Sequence, residues 1–188
     1  LVGSEMCIRD RCAVAHGWHD ENLSDEHFLC LVISELMEAV EADRKEKHAN
    51  REQFDYYMSL KERPDDEFIY AFKHGIKDSV EDELADACIR LLDLAGLRNV
   101  NLGKVDFDEL KCSEGLFDWS FTEAIFSLVC NITDSDYIQI HSFDSFLRMA
   151  FIEILVFCVQ KDIDIFWYIE QKMKYNELRP YKHGNKSY

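Results

Sequence analysis

The sequence is poor in the two residues that break helices and build tight turns. It has 2 prolines and 7 glycines in 188 residues, under half of the roughly 12% that average usage would give. That shortage argues against a sandwich, a barrel or a β-hairpin repeat, which need frequent turns, and for few, long helices. Positive charge is scarce as well. Lys and Arg number 21 against 37 Asp and Glu, a net charge of −16, so there is no net positive field to hold a nucleic-acid polymer. A small phosphate-bearing ligand is compatible with this balance only if divalent cations mediate between it and the carboxylates.

Long apolar runs are missing too. The most apolar stretch, Met149 to Val159, is interrupted by Glu153 and falls short of the ~20 residues that span a bilayer. No membrane association is expected. The 7 cysteines (Cys7, Cys12, Cys30, Cys88, Cys112, Cys130 and Cys158) are odd in number and include no C-x-x-C pair. They read as reduced thiols of a cytoplasmic protein without a secretory signal.

The remaining composition, 47% hydrophobic and 31% charged, suits a chain that buries a sizeable core, and its length suits one domain. Residues Leu1 to Arg11 (LVGSEMCIRDR) lack an initiator Met and any sustained period. Residues 1–12 are therefore set aside as a non-native or disordered tail, leaving 13–188 as a single domain.

Five helices are expected. The first runs from its cap Ser24 to about Arg44, with acidic residues in its first turn and apolar residues at helical spacing. The second covers Lys77 to Leu97, with Asp78 or Ser79 as cap and Gly96 near its end. The others are Phe121 to Asn131, Phe143 to Gln160, and Ile163 to about Glu177 before Pro180. The polar stretch Lys45 to Lys61 reads as a loop with a short helix around Phe54 to Leu60, and Pro64 marks a new start. With no β alternation, the fold class is an all-α bundle carrying a polar insertion.

The chemistry lies on the first two helices. Glu35 and Glu38 stand three apart on one, Glu83 and Asp86 three apart on the other, and i, i+3 neighbours share a face with Cβ atoms roughly 5–6 Å apart. Ser79, Glu83, Asp86, Arg90 and Asp93 form a polar stripe flanked by Leu84, Cys88 and Leu91 on one side and Ala85, Ile89 and Leu92 on the other. Glu35 and Glu38 are likewise set among Leu31, Ile33, Leu36, Met37, Ala39 and Val40. Packing would draw these acids inward or to the rim of a cleft, where like charges repel unless something neutralises them.

Antiparallel packing of the two helices would let the four carboxylates converge on one or two hard cations. Mg²⁺ is the natural guest, with Mn²⁺ as its substitute, and no histidine at ligand spacing favours zinc or di-iron. Arg90 and Asp93 read as an ion pair or as support for the metal acids.

Glu35-x-x-Glu38 followed by Glu83-x-x-Asp86 resembles the E-x-x-E … E-x-x-D signature of the MazG-like, all-α nucleoside triphosphate pyrophosphohydrolases. The segments AHGWHDENLSDEHFLCLVISELMEAVEADR, VEDELADACIRLLDLAGL and QKMKYNELRPYKHGNKSY extend the likeness over Ala13 to Tyr188. It departs from the family in the 44 residues between Glu38 and Glu83, a longer gap than usual. The resemblance implies Mg²⁺-dependent cleavage of an NTP or dNTP between its α and β phosphates. Glu35, Glu38, Glu83 and Asp86 would hold the metal, and Glu38 is the candidate to activate the attacking water. The resemblance further implies nucleotide contacts from the tail, where Lys174, Arg179 and Lys182 stand beside Asn176, and a homodimer or higher oligomer with sites near subunit boundaries. His16 and Trp18 could stack on or hydrogen-bond the base. The competing reading is a catalytically silent helical bundle that binds a protein partner through Phe121–Val129 and Phe143–Val159.

Overall fold

The computed structural model describes residues 23–60, 64–103, 119–134 and 142–178. These residues form seven helices and no strand: α1 Asp25–Arg44, α2 Arg51–Met58, α3 Pro64–Gly75, α4 Val80–Leu97, α5 Phe121–Ile132, α6 Phe143–Gln160 and α7 Ile165–Glu177. The helix starts follow the capping rules. Ser24, Asn50, Ser79, Ser120, Ser142 and Asp164 each accept a backbone N–H two or three residues into the helix, and Ser120 with Glu123 completes a capping box.

The helix ends show how the chain manages with little glycine. Glu46, Asn99 and Asp162, each just past a helix, adopt φ of 53°, 56° and 56°. Glycine usually takes this left-handed position; here polar residues carry it, at roughly 1–2 kcal/mol each.

At the centre lies α4, which packs on α1, α6 and α7. Thirteen of its residues are buried, and Asp86, Arg90, Asp93 and Leu97 mark the one half-buried stripe, at steps of four, three and four. Helix α1 lies antiparallel to α4. Arg98, at the end of α4, donates to Asp25 Oδ1 at 2.6 Å and to the Leu23 carbonyl at 3.0 Å, while Glu35 further along α1 meets Arg90. Val32, Leu36 and Ala39 of α1 are fully buried in the core, with Leu84, Leu91 and Leu94 of α4.

Between Lys45 and Gly75, where a loop with one short helix around Phe54 to Leu60 and a new start at Pro64 were expected, two helices pack together, so the bundle has seven helices among the described residues rather than five. Phe54 is the one buried residue of α2, and charged neighbours hide it in the sequence. Phe68, Ala71 and Phe72 of α3 are fully buried at i, i+3, i+4 spacing. Phe54 meets Phe68 and Trp167 edge-on at 5.9 and 5.4 Å. The Asn50 N–H donates to the Gly75 carbonyl at 2.7 Å, and a Cβ on Gly75 would lie 3.0 Å from Phe54 Cβ and 3.1 Å from the Asn50 carbonyl. The pair is tied to the start of α4 by Ala49 N–H on Glu81 Oε2 at 2.8 Å and Val80 N–H on the Lys47 carbonyl at 3.0 Å. No described helix is long and apolar enough to cross a membrane.

Candidate metal centre

The antiparallel pairing of α1 and α4 sets the site. Glu35, Glu38 and Glu83 each present a carboxylate oxygen, and these oxygens lie within 4.8 Å of one another. Burial of the three is unequal. Glu35 and Glu83 are 9% and 6% exposed, but Glu38 is exposed. Of the two placements expected for these acids, inward or at the rim, Glu35 takes the first and Glu38 the second. Three residues are 300° of helix rotation, which turns Glu38 to the rim, beside exposed Met37.

Asp86 is close but engaged differently. Its Oδ2 lies 2.7 Å from the ammonium of Lys172 on α7. Lys172 also donates to Asp82 Oδ1 at 2.8 Å, and Asp82 Oδ2 accepts the Asp78 N–H at 2.8 Å. Asp82 is 1% and Lys172 6% exposed. Neither residue was singled out in the sequence. Asp82 sits between Glu81 and Glu83 in the first turn, where an acid is explained by the helix dipole. The available signal was the Asp82, Asp86, Arg90 series at steps of four, which lays a second acid beside the recognised stripe.

The charges are strained. Burial, the neighbouring Asp86 and then Glu38 push the Glu35 carboxyl up to about 7, against the pull of Arg90. Burial, with Asp82, Asp86 and Glu38 adding to it, pushes Glu83 up to about 8 despite Lys172. Desolvation dominates both, and like charges sharpen it. Arg90 donates from Nε to Glu35 Oε1 at 3.1 Å, an ion pair with one of the candidate acids rather than the Arg90–Asp93 pair alone. Burial works against the Lys172 ammonium, yet Asp86 and Asp82 more than offset it and hold Lys172 above the ordinary lysine range.

Asp78, Asp82 and Glu83 form a second acidic group with oxygens within 4.8 Å. The two groups differ in what faces them. Lys47 and Lys77 pair with Asp78, and Lys172 with Asp82, whereas the ion pair recorded within the first group is that of Arg90 with Glu35. Both groups offer oxygen donors only, which fits a hard cation of the Mg²⁺ type rather than zinc. Among the described residues the first group is the less compensated by cations, and it is the better match.

The tail residues divide. Lys174 lies two positions from Lys172, roughly 200° around the helix, and its ammonium rests 4.1 Å from the Phe68 ring centre, so it is not brought to the acids. Asn176, one turn beyond Lys172, has a buried Oδ1 with no hydrogen-bond partner among the described residues. His16, Trp18, Arg179 and Lys182 lie outside the described residues. In comparisons with known proteins, no family model, no curated protein and no solved structure matches the chain.

Proposed function

We propose that the chain is a Mg²⁺-dependent nucleoside triphosphate pyrophosphohydrolase of the MazG-like, all-α kind, splitting a (d)NTP into the (d)NMP and pyrophosphate. The observation that carries this reading is the convergence of Glu35, Glu38 and Glu83, from two antiparallel helices, on one point. A bound Mg²⁺, or Mn²⁺ in its place, would neutralise phosphate charge and lower the pKa of a bound water.

The chain's own residues have distinct parts. Glu35 and Glu83 are the buried ligands, and the Arg90 guanidinium fixes the direction of Glu35. Asp86 is the fourth acid, held on one oxygen by Lys172. Glu38, open to solvent, stands where water and substrate approach and is assigned the orientation or deprotonation of the attacking water. Asn176 supplies a polar group in search of a partner. Contacts from Arg179 and Lys182 to the nucleotide and a homodimeric or higher assembly follow from the family resemblance, base contacts from His16 and Trp18 from an aromatic standing beside a polar group, and a cytoplasmic location from the cysteine usage.

A second reading, a catalytically silent module that docks a protein partner, draws on α5. Phe126 and Trp119 are 70% and 45% exposed beside Thr122 and Glu123 in a shallow depression. Incubation with a panel of NTPs and dNTPs plus Mg²⁺, with products identified by chromatography, separates the two. Monophosphate and pyrophosphate are expected. Orthophosphate release overturns the bond assignment, and no turnover of any nucleotide favours the silent module.

A further inference from the structure

Glu83 belongs to both acidic groups, that of Glu35 and Glu38 and that of Asp78 and Asp82. A carboxylate shared between two clusters of oxygen donors is the arrangement of a bridging ligand in a site for two cations, which stand about 3.5–4 Å apart in such centres. Yet Asp82 of the second cluster already holds a cation of the protein's own. The Lys172 ammonium, 6% exposed, sits 2.8 Å from Asp82 Oδ1 and 2.7 Å from Asp86 Oδ2. It bridges two acids one helical turn apart on α4. Burying a lysine is costly unless it is paired, and here both partners are carboxylates. The Asp78 N–H on Asp82 Oδ2 at 2.8 Å fixes the anchor from the far side.

We propose that Lys172 is a resident cation: its ammonium, held between Asp82 and Asp86, takes the Asp82 carboxylate that a second divalent ion would need, and so limits the centre to one ion, held by Glu35, Glu38 and Glu83. The inference rests on the metal reading above and deepens it to a stoichiometry. Because the ammonium is tethered, it stays when a chelator strips the divalent ion, and it keeps Asp82 and Asp86 in register while the site is being loaded. Lys172 is thus a positioning residue, acting on the metal acids and not on the reacting atoms.

The test counts Mn²⁺ bound per chain, from the free-ion electron paramagnetic resonance signal, in the wild type, Lys172→Met and Lys172→Arg. One ion is expected in the wild type and in Lys172→Arg, and two in Lys172→Met, whose side chain has similar length and no charge. If Lys172→Met is unfolded by circular dichroism in EDTA and regains its helix with Mn²⁺, the inference also stands, since a divalent ion has replaced the ammonium. Unchanged stoichiometry in a folded Lys172→Met overturns it. So does a Lys172→Met chain that stays unfolded at saturating Mn²⁺, or a Lys172→Arg chain that binds two ions. A wild type that binds no Mn²⁺ while Lys172→Met binds one refutes the assignment of the first acidic group and leaves the role of Lys172 intact; absence of binding in both sinks the two together.

Discussion

Replacing Glu83 by glutamine should make the metal-free protein more stable while removing its response to Mg²⁺. Burial and the neighbouring Asp82 and Asp86 displace the Glu83 carboxyl from 4.5 to about 8. Each tenfold step in proton affinity is about 1.4 kcal/mol, so at pH 8 the folded state carries a cost with an upper bound of about 4 kcal/mol. Adjustment of the coupled acids lowers this, and a gain of about 1–4 kcal/mol is expected. At roughly 3 °C per kcal/mol for a chain of this size, that is a rise of several degrees in Tm. The assay is thermal denaturation followed by far-UV circular dichroism at pH 8, in EDTA and in Mg²⁺. Wild type should gain stability with Mg²⁺, because an ion that binds only the folded state stabilises it by mass action; Glu83→Gln should gain little. A Glu83→Gln protein that melts lower than wild type in EDTA would refute the reasoning, for the carboxylate would then be favourable without a cation.

The remaining expectations test neighbouring parts of the site and fold. Folded-state carboxyls raised to about 7 at Glu35 and about 8 at Glu83 favour the fold fully below about 4.5, and this contribution is lost as pH rises through 7 and 8. Glu35→Gln should therefore gain on wild type over that range in EDTA, and a constant difference between the two from pH 5 to 9 would contradict it. Asp86→Asn should act oppositely to Glu83→Gln on stability, lowering it by about 1–3 kcal/mol because it removes a partner of buried Lys172, and should cut turnover about 10- to 100-fold; higher stability in urea titration would sink the pairing. Gly75→Ala forces a Cβ to 3.0 Å from Phe54 and should cost about 1–3 kcal/mol, which chemical denaturation can measure; a neutral result would mean that α2 and α3 are not packed as described.

How much was legible depended on whether a signal was local. Helices α1 and α4 follow from Ser24 and Ser79 caps, acidic first turns and apolar spacing, all written within a few residues. The stripe on α4 was readable for the same reason, and Asp86, Arg90 and Asp93 are its half-buried members. Helix α2 was legible only as a short helix around Phe54 to Leu60, and α3 only as a start at Pro64, because the burial of Phe54 depends on Phe68 and Trp167 from other elements, not on its charged neighbours. Lys172 was missed on similar grounds: its partners, Asp82 and Asp86, stand some ninety positions away on another helix. Glu38 shows the converse limit: its face was legible, but which of the two expected placements it takes, inward or at the rim, depends on the edge of the α1–α4 interface that leaves it exposed.

The central claim is that Glu35, Glu38 and Glu83 hold one divalent cation. Crystals soaked in Mn²⁺ and measured for anomalous scattering test it most directly. The account predicts one anomalous peak per chain, among these three carboxylates. No peak there, or one centred between Asp82 and Asp86 in place of the Lys172 ammonium, would contradict it.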